Sequence, residues 1–152
     1  MGQIWAFAPL RVVSDMAIEL TPDEERLLEV AQEVRSRAYA RYSGRQVGAA
    51  VLSRSGKIYP GVNVESGSYG LTVCAERVAV FNAVTAGDKE LVAVAVASPD
   101  DRIWYPCGAC RQVLAEFSPE MVVLGIDQKG RVVRSNIETL LPDRFAFDPS
   151  EE

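Results

Sequence analysis

The sequence predicts an α/β fold: a three-layer α-β-α sandwich around a central mixed sheet of about five strands. Three observations predict it. The candidate elements run as one leading helix and then in the order ββαβαβ. The run Leu91 to Ala97, L-V-A-V-A-V-A, is continuously apolar, as in a strand covered on both faces. A chain of 152 residues, 48% hydrophobic and 24% charged, is long and apolar enough for one domain with a real core.

Each element has its own local cause. Thr21-Pro22-Asp23-Glu24 starts a helix: Thr is a good N-cap, Pro suits the first turn, and Glu24 stands at the capping-box position. Leu27, Leu28, Ala31, Val34 and Ala38 follow helical spacing, which carries the helix to about Tyr42-Ser43-Gly44. Val47 to Leu52 and Lys57 to Val64 read as strands joined by a turn at Ser55-Gly56. Cys74 to Ala86 reads as a helix stopped by Gly87. After the strand at Leu91 to Ala97, Cys107 to Phe117 is a third helix. Met121 to Ile126 is a strand, and Arg131 to Arg134 a short one after the Lys129-Gly130 turn. Ile137 to Leu141 is a final helical turn, stopped by Pro142. Residues 1–20 form an N-terminal extension without clear periodicity, 21–147 a single domain, and 148–152 a tail. The stretch from Met16 would itself make a native start, so residues 1–15 read equally as an upstream extension or as native chain.

Composition excludes several classes. A net charge of −5 argues against a nucleic-acid surface, which needs a clustered basic stripe. No apolar run approaches the length of a membrane span. The start lacks a basic n-region and is broken by Pro9, which makes a poor signal peptide. The absence of histidine removes Ser-His-Asp and Cys-His catalysis and the commonest metal ligand. Three cysteines with no further pairs fit a reducing compartment, the cytoplasm, better than a disulfide framework.

Those cysteines carry the chemistry. Cys74, Cys107 and Cys110 stand in T-V-C-A-E-R and P-C-G-A-C-R-Q, with Glu76 two residues after the first. Thiolates at this spacing hold zinc, and a carboxylate not needed as a ligand can move protons. The pattern resembles the zinc-deaminase signature in its three-cysteine form. Cys74 and Cys107 fall where helices should begin, and helix N-termini favour thiolate over thiol. Three protein ligands leave a fourth tetrahedral position for water, whose pKa zinc would lower. Arg77, beside the first thiolate, can draw charge from the sulfurs and restore the acidity of the metal. The alternatives are a Cys107–Cys110 redox pair, which leaves Cys74 unexplained, and a structural zinc knob, which lacks a fourth Cys or His. Asn63 and Glu65, two apart at a strand end, point to one face, where both could accept hydroxyl protons or simply be solvated.

Beyond these motifs, the chain resembles the small homotetrameric cytidine deaminases from Thr21 to Phe145. The resemblance rests on V-G-A-A-V-L at Val47, G-V-N-V-E at Gly61, S-Y-G-L-T-V-C-A-E-R at Ser68, P-C-G-A-C-R-Q-V-L at Pro106 and L-L-P at Leu140. It implies that 21–147 is a catalytic domain holding one zinc per subunit on Cys74, Cys107 and Cys110, with Glu76 as the proton shuttle. It implies hydrolysis of cytidine or deoxycytidine, or a modified cytidine, to the uridine product and ammonia, in pyrimidine salvage. Asn63 and Glu65 would bind the ribose 3′-hydroxyl, Tyr69 would lie near the sugar, and the Ala75 backbone would contact the pyrimidine. Phe145 would reach a neighbouring subunit's site and stack on the base, which makes the expected partners copies of this chain, with no nucleic acid and no membrane.

One position departs from the family. The segment before V-G-A usually reads Y-S-x-F-x-V-G-A, and here Arg45 stands where an aromatic stacks on the base. Arg45 could stack by its planar guanidinium, bind a substrate acid or phosphate, or point to solvent. A changed preference, for N4-substituted or 5-substituted cytidines, another nucleoside or blasticidin S, is therefore an alternative. Blasticidin deaminases lack the Glu of N-V-E and the Arg after C-A-E, both present here as Glu65 and Arg77. A non-catalytic nucleoside- or RNA-binding relative would have no use for Glu76.

Overall fold

The computed structural model describes residues 18–151. Residues 1–17, most of the expected extension, lie outside the described residues. Helix α1 (Pro22–Val34) starts at the predicted cap: the Thr21 hydroxyl accepts from the Glu24 N–H, and Glu24 Oε2 accepts from the Thr21 N–H at 2.8 Å. Such a cap is worth about 1 kcal/mol. The helix ends earlier than its periodicity predicts. After Val34 it tightens into a 3₁₀ turn, Arg35–Arg37, and Ala38 is extended with ψ 137°. Tyr39 instead bridges Val64, donating to Asn63 O at 3.0 Å and accepting from the Glu65 N–H at 2.9 Å. A long-range backbone ladder thus takes residues 38–40 away from the helix, and helix propensity cannot foresee it.

The remaining elements are β1 (Gly48–Ser53), β2 (Ile58–Val62), α2 (Ala75–Thr85), β3 (Leu91–Ala97), α3 (Gly108–Phe117), β4 (Val122–Ile126), β5 (Val132–Asn136) and a short α4 (Ile137–Leu140). Short 3₁₀ turns at Tyr69–Leu71 and Pro149–Glu151, which the sequence did not suggest, complete the chain. The five strands form one mixed sheet in the order β2-β1-β3-β4-β5. Only β3 and β4 are parallel, joined by the α3 crossover; the other pairs are antiparallel. Pro60 lies in β2, an edge strand, where a missing N–H is tolerated.

The sheet is covered on both faces, as the apolar run of β3 predicts. Leu27, Leu28 and Ala31 of α1 pack on Ala50, Leu52, Ala93, Ala95 and Leu124. On the other face Ala75, Ala79 and Val80 of α2 and Leu114 of α3 pack on Ala49, Val51, Val94, Val96 and Val123. The three layers are therefore α1, sheet, and α2 with α3. Two glycines set the spacing. A Cβ at Gly48 would lie 2.0 Å from Ala31 O, and one at Gly61 would lie 2.3 Å from Ala79 N and 2.4 Å from Ala75 O. Helix backbone rests directly on strand backbone at both points. Arg134 of β5 pairs with Glu24, fastening the sheet edge to α1. Leu20, just before the Thr21 cap, packs against the α1-side core. Among the described residues, no helix is long and apolar enough to cross a membrane.

Candidate metal centre and substrate pocket

Two helix N-termini converge at one end of the sheet. Cys74 is the N-cap of α2 and Cys107 the N-cap of α3, each in extended backbone. Cys110 lies one turn into α3 and is fully buried. The close approach at Gly61 fixes the first turn of α2, and with it the height of Cys74 and Glu76 above the sheet.

The three sulfurs lie within 4.8 Å of one another, with Cys74 Sγ and Cys107 Sγ 3.9 Å apart. Tetrahedral zinc with Zn–S bonds of about 2.3 Å places its sulfurs about 3.8 Å apart. The donor set and its spacing therefore fit zinc. The sulfurs also share charge unequally. The Cys74 thiol is pulled down to about 5, chiefly by a hydrogen bond from Cys110, against burial and with help from Arg77. Cys110 is pushed up by donating that bond and by its burial. Arg77 Nη2 lies 3.7 Å from Cys74 Sγ. Its Nε is buried with no hydrogen-bond partner among the described residues, so the sulfurs and their charge hold the guanidinium.

Glu76, in the first turn of α2, is 5% exposed. Burial first, and then the Cys74 charge, raise its pKa to about 7, against its own backbone N–H and Arg77, which lower it. A carboxyl so placed can hold or release a proton near neutral pH.

These groups floor a cavity of about 280 Å³, reached by Cys74, Ala75, Glu76 and Cys107. Its walls include Arg45, Val47, Asn63, Glu65, Val96 and Trp104. Asn63 is 9% exposed and braces the wall. Its Oδ1 accepts from the Val47 N–H at 2.8 Å, and its Nδ2 donates to Arg45 O at 2.9 Å. Glu65 accepts from the backbone N–H of Tyr42 at 2.8 Å and of Ser43 at 3.1 Å, and from the Ser43 hydroxyl. The Ser43 hydroxyl is the main reason its pKa is lowered. Arg45 lines the pocket with its Nη1 donating to Asp100 Oδ2 at 3.0 Å.

Eight sequence-derived residues thus meet at one site: Cys74, Cys107, Cys110, Glu76, Ala75, Asn63, Glu65 and Arg45, with Arg77 behind the sulfurs. Tyr69 and Phe145 stand apart. Tyr69 is 76% exposed and meets Tyr42 edge-on at 6.1 Å, beside an adjoining hollow that shares Ser43, Glu65 and Thr72 with the pocket. Phe145 is 74% exposed, its carbonyl accepting from Gln112. Sequence reasoning missed Trp104 and Asp100; the one available signal was the aromatic pair Trp104-Tyr105 directly before Pro106-Cys107.

Comparison with known proteins agrees with this geometry. A family model described as the cytidine and deoxycytidylate deaminase zinc-binding region matches residues 21–126. A cytidine deaminase of Halalkalibacterium halodurans is 44% identical over 128 residues, 83% of this chain and 96% of that protein. A blasticidin-S deaminase of Bacillus cereus is more distant, 33% identical over 134 residues, 83% of this chain and 94% of that one. A crystal structure of cytidine deaminase from Burkholderia pseudomallei superposes with a TM-score of 0.77 at 44% identity, covering 80% of this chain and 98% of that one. With a zinc-binding model over most of the domain, and relatives matched almost end to end, this chain belongs to the cytidine and deoxycytidylate deaminase family.

Proposed function

We propose that this protein hydrolyses cytidine and deoxycytidine to the uridine product and ammonia. The observation that carries this is Glu76, a buried carboxyl near neutral pKa beside three sulfurs spaced for zinc. Cys74, Cys107 and Cys110 would hold one zinc ion per subunit, which when bound supplies a Lewis acid that acidifies water. Glu76 takes one proton from the attacking water and delivers it to N3 of the pyrimidine. It takes the second and delivers it to the departing amine at C4, which leaves as ammonia. The water oxygen becomes the C4 carbonyl of uridine, so atoms balance. The Ala75 backbone lies on the pocket floor where the base would be held. Asn63 and Glu65 reach the same cavity and would bind the ribose 3′-hydroxyl. Both already serve the loop at residues 42–47, so sugar binding and loop position are coupled.

The active unit we infer is a homotetramer. Tyr69, Leu71, Phe145 and Phe147 are 76%, 71%, 74% and 62% exposed on one chain, large apolar side chains that subunit contacts would cover. Phe145 would then complete a neighbouring subunit's pocket. Three free thiols favour a reducing compartment, the cytoplasm, and a place in pyrimidine salvage.

The test is an ultraviolet absorbance assay of zinc-quantified protein against cytidine, deoxycytidine, cytidine monophosphate, N4-alkyl cytidines, adenosine, guanosine and blasticidin S. Cytidine turnover with about one zinc per chain is expected. Glu76→Gln should abolish turnover and leave zinc bound. A Glu76→Gln protein that still turns over cytidine would remove Glu76 from the proton path. Turnover of an N4-substituted cytidine or blasticidin S in place of cytidine would make Arg45 a specificity switch. Bound nucleoside without turnover would mark a binding protein, and a reversible Cys107–Cys110 disulfide without zinc a redox protein.

A further inference from the structure

Two aromatic residues line the pocket, Trp104 and Tyr105, and of these Trp104 is hydrogen-bonded at both its backbone and its ring, with no role in the proton path. Trp104 lies on the loop between β3 and α3, three residues before Cys107. Its backbone N–H donates to Ser98 Oγ at 2.9 Å, and its indole Nε1–H donates to Asp100 Oδ1 at 3.0 Å. The ring is half-buried, packs on the α2–α3 core and lines the cavity. With its backbone and its indole N–H both tied, the ring is held in one orientation at the cavity wall.

The carboxylate that ties it also ties a second lining residue, Arg45. Asp100 Oδ2 accepts from Arg45 Nη1 at 3.0 Å and from Arg102 Nη2 at 2.8 Å, and Oδ1 accepts from the Arg102 N–H at 3.0 Å. Arg45 comes from the loop before β1, so one side chain clasps two loops far apart in the chain. The Asp100 loop is itself anchored. Arg35 Nη1 donates to Ser98 O at 2.6 Å, the Gln128 N–H donates to Asp100 O at 3.2 Å, and Ile103 packs over Gly125.

We propose that Trp104 is the ring against which the substrate's base lies, and that Asp100 is the positioning residue that holds Trp104 and Arg45 for it. This deepens the deaminase reading and rests on it. A preorganised indole stacks on any planar heteroaromatic base. The stack acts on the face of the whole ring, most of which stays planar while C4 turns tetrahedral. It stabilises bound substrate and transition state about equally, so it acts on KM and leaves kcat alone.

The chain holds two tryptophans, Trp5 and Trp104, so Trp5→Phe leaves Trp104 as the sole emitter. In that zinc-loaded protein, uridine should quench the emission in a titration that matches calorimetry. Trp104→Ala should raise KM for cytidine about tenfold with kcat little changed, the size of one modest base–aromatic stack. Trp104→Phe keeps a ring without the N–H and should recover most of that loss. Asp100→Ala should raise KM when Trp104 is present and add little when Trp104 is already Ala. Calorimetric uridine binding without any change in emission would overturn the proposal. So would a fall in kcat at constant KM in Trp104→Ala and Trp104→Phe. Uridine quenching in Trp5→Phe, with a wild-type protein that does not consume cytidine, would sink the deaminase reading and support the wall.

Discussion

Gly61→Ala tests whether the sheet sets the height of the metal centre. The new Cβ would lie 2.3 Å from Ala79 N, 2.4 Å from Ala75 O and 2.8 Å from Ala79 Cα, all backbone atoms of α2. Ordinary contact begins at 3.4 Å, so the first turns of α2 must retreat by about 1 Å. Overpacking of this kind costs about 2 kcal/mol, which in a domain of this size lowers Tm by roughly 6 °C. The same retreat carries Cys74 and Glu76. Metal–ligand distances tolerate only about 0.2 Å, and a misplacement of about 1 Å can cost 100-fold in rate. Zinc content, Tm and kcat/KM should therefore fall together. Gly70→Ala, where nothing lies within 4 Å, is the control for the Tm and zinc readouts. Because the obstacles are backbone atoms, adding Ala79→Gly should not rescue Gly61→Ala. Wild-type Tm and activity in Gly61→Ala, or rescue by Ala79→Gly, would refute the argument.

Cys110→Ala should yield folded protein without zinc; full metal occupancy by elemental analysis would refute its assignment as a ligand. Asp100 should give an acid-dependent contribution to stability. Its pKa is lowered to about 2, chiefly by the Arg102 hydrogen bond. A depressed folded pKa stabilises above the ordinary value of about 4, and that stabilisation is lost as pH falls through about 2. The Tm gap between wild type and Asp100→Asn, measured on metal-free protein, should therefore be constant above about pH 5 and close on acidification. A gap that widens with acid would contradict the direction.

What could be read in the chain was what is local. Thr21 with Glu24, the Val/Ala run of β3, and the placement of Cys74 and Cys107 at helix starts are all decided within a few residues, and all appear as expected. The layer arrangement followed because an apolar strand needs cover on both faces. What could not be read depends on partners far along the chain. The early end of α1 is set by Tyr39 pairing with Val64, and the orientation of Arg45 by Asp100. Asn63 and Glu65 were legible as groups facing one site, but not as braces of the loop at 42–47. Arg111 donates to Pro106 O and Leu140 O, both at 2.7 Å, tying the Cys107 turn to α4, a role set by a partner far along the chain.

The helix caps show what the metal centre costs the fold. Helix α1 carries a full capping box, whereas α2 and α3 begin on cysteines with no side-chain cap hydrogen bond. A Ser at an N-cap supplies the missing acceptor and is worth roughly 0.5–1 kcal/mol. Cys107 is exposed, so a serine hydroxyl there remains solvated. Cys107→Ser should therefore raise the Tm of metal-free protein by roughly 2–3 °C. With zinc present the order should invert, because the wild-type site gains the free energy of metal binding and the serine variant loses a thiolate ligand. Calorimetric melts with chelator and with zinc would show the two curves crossing. If Cys107→Ser is the less stable protein even without metal, the sulfur at this cap contributes to the fold itself, and the two helix starts are not held back by their role as ligands.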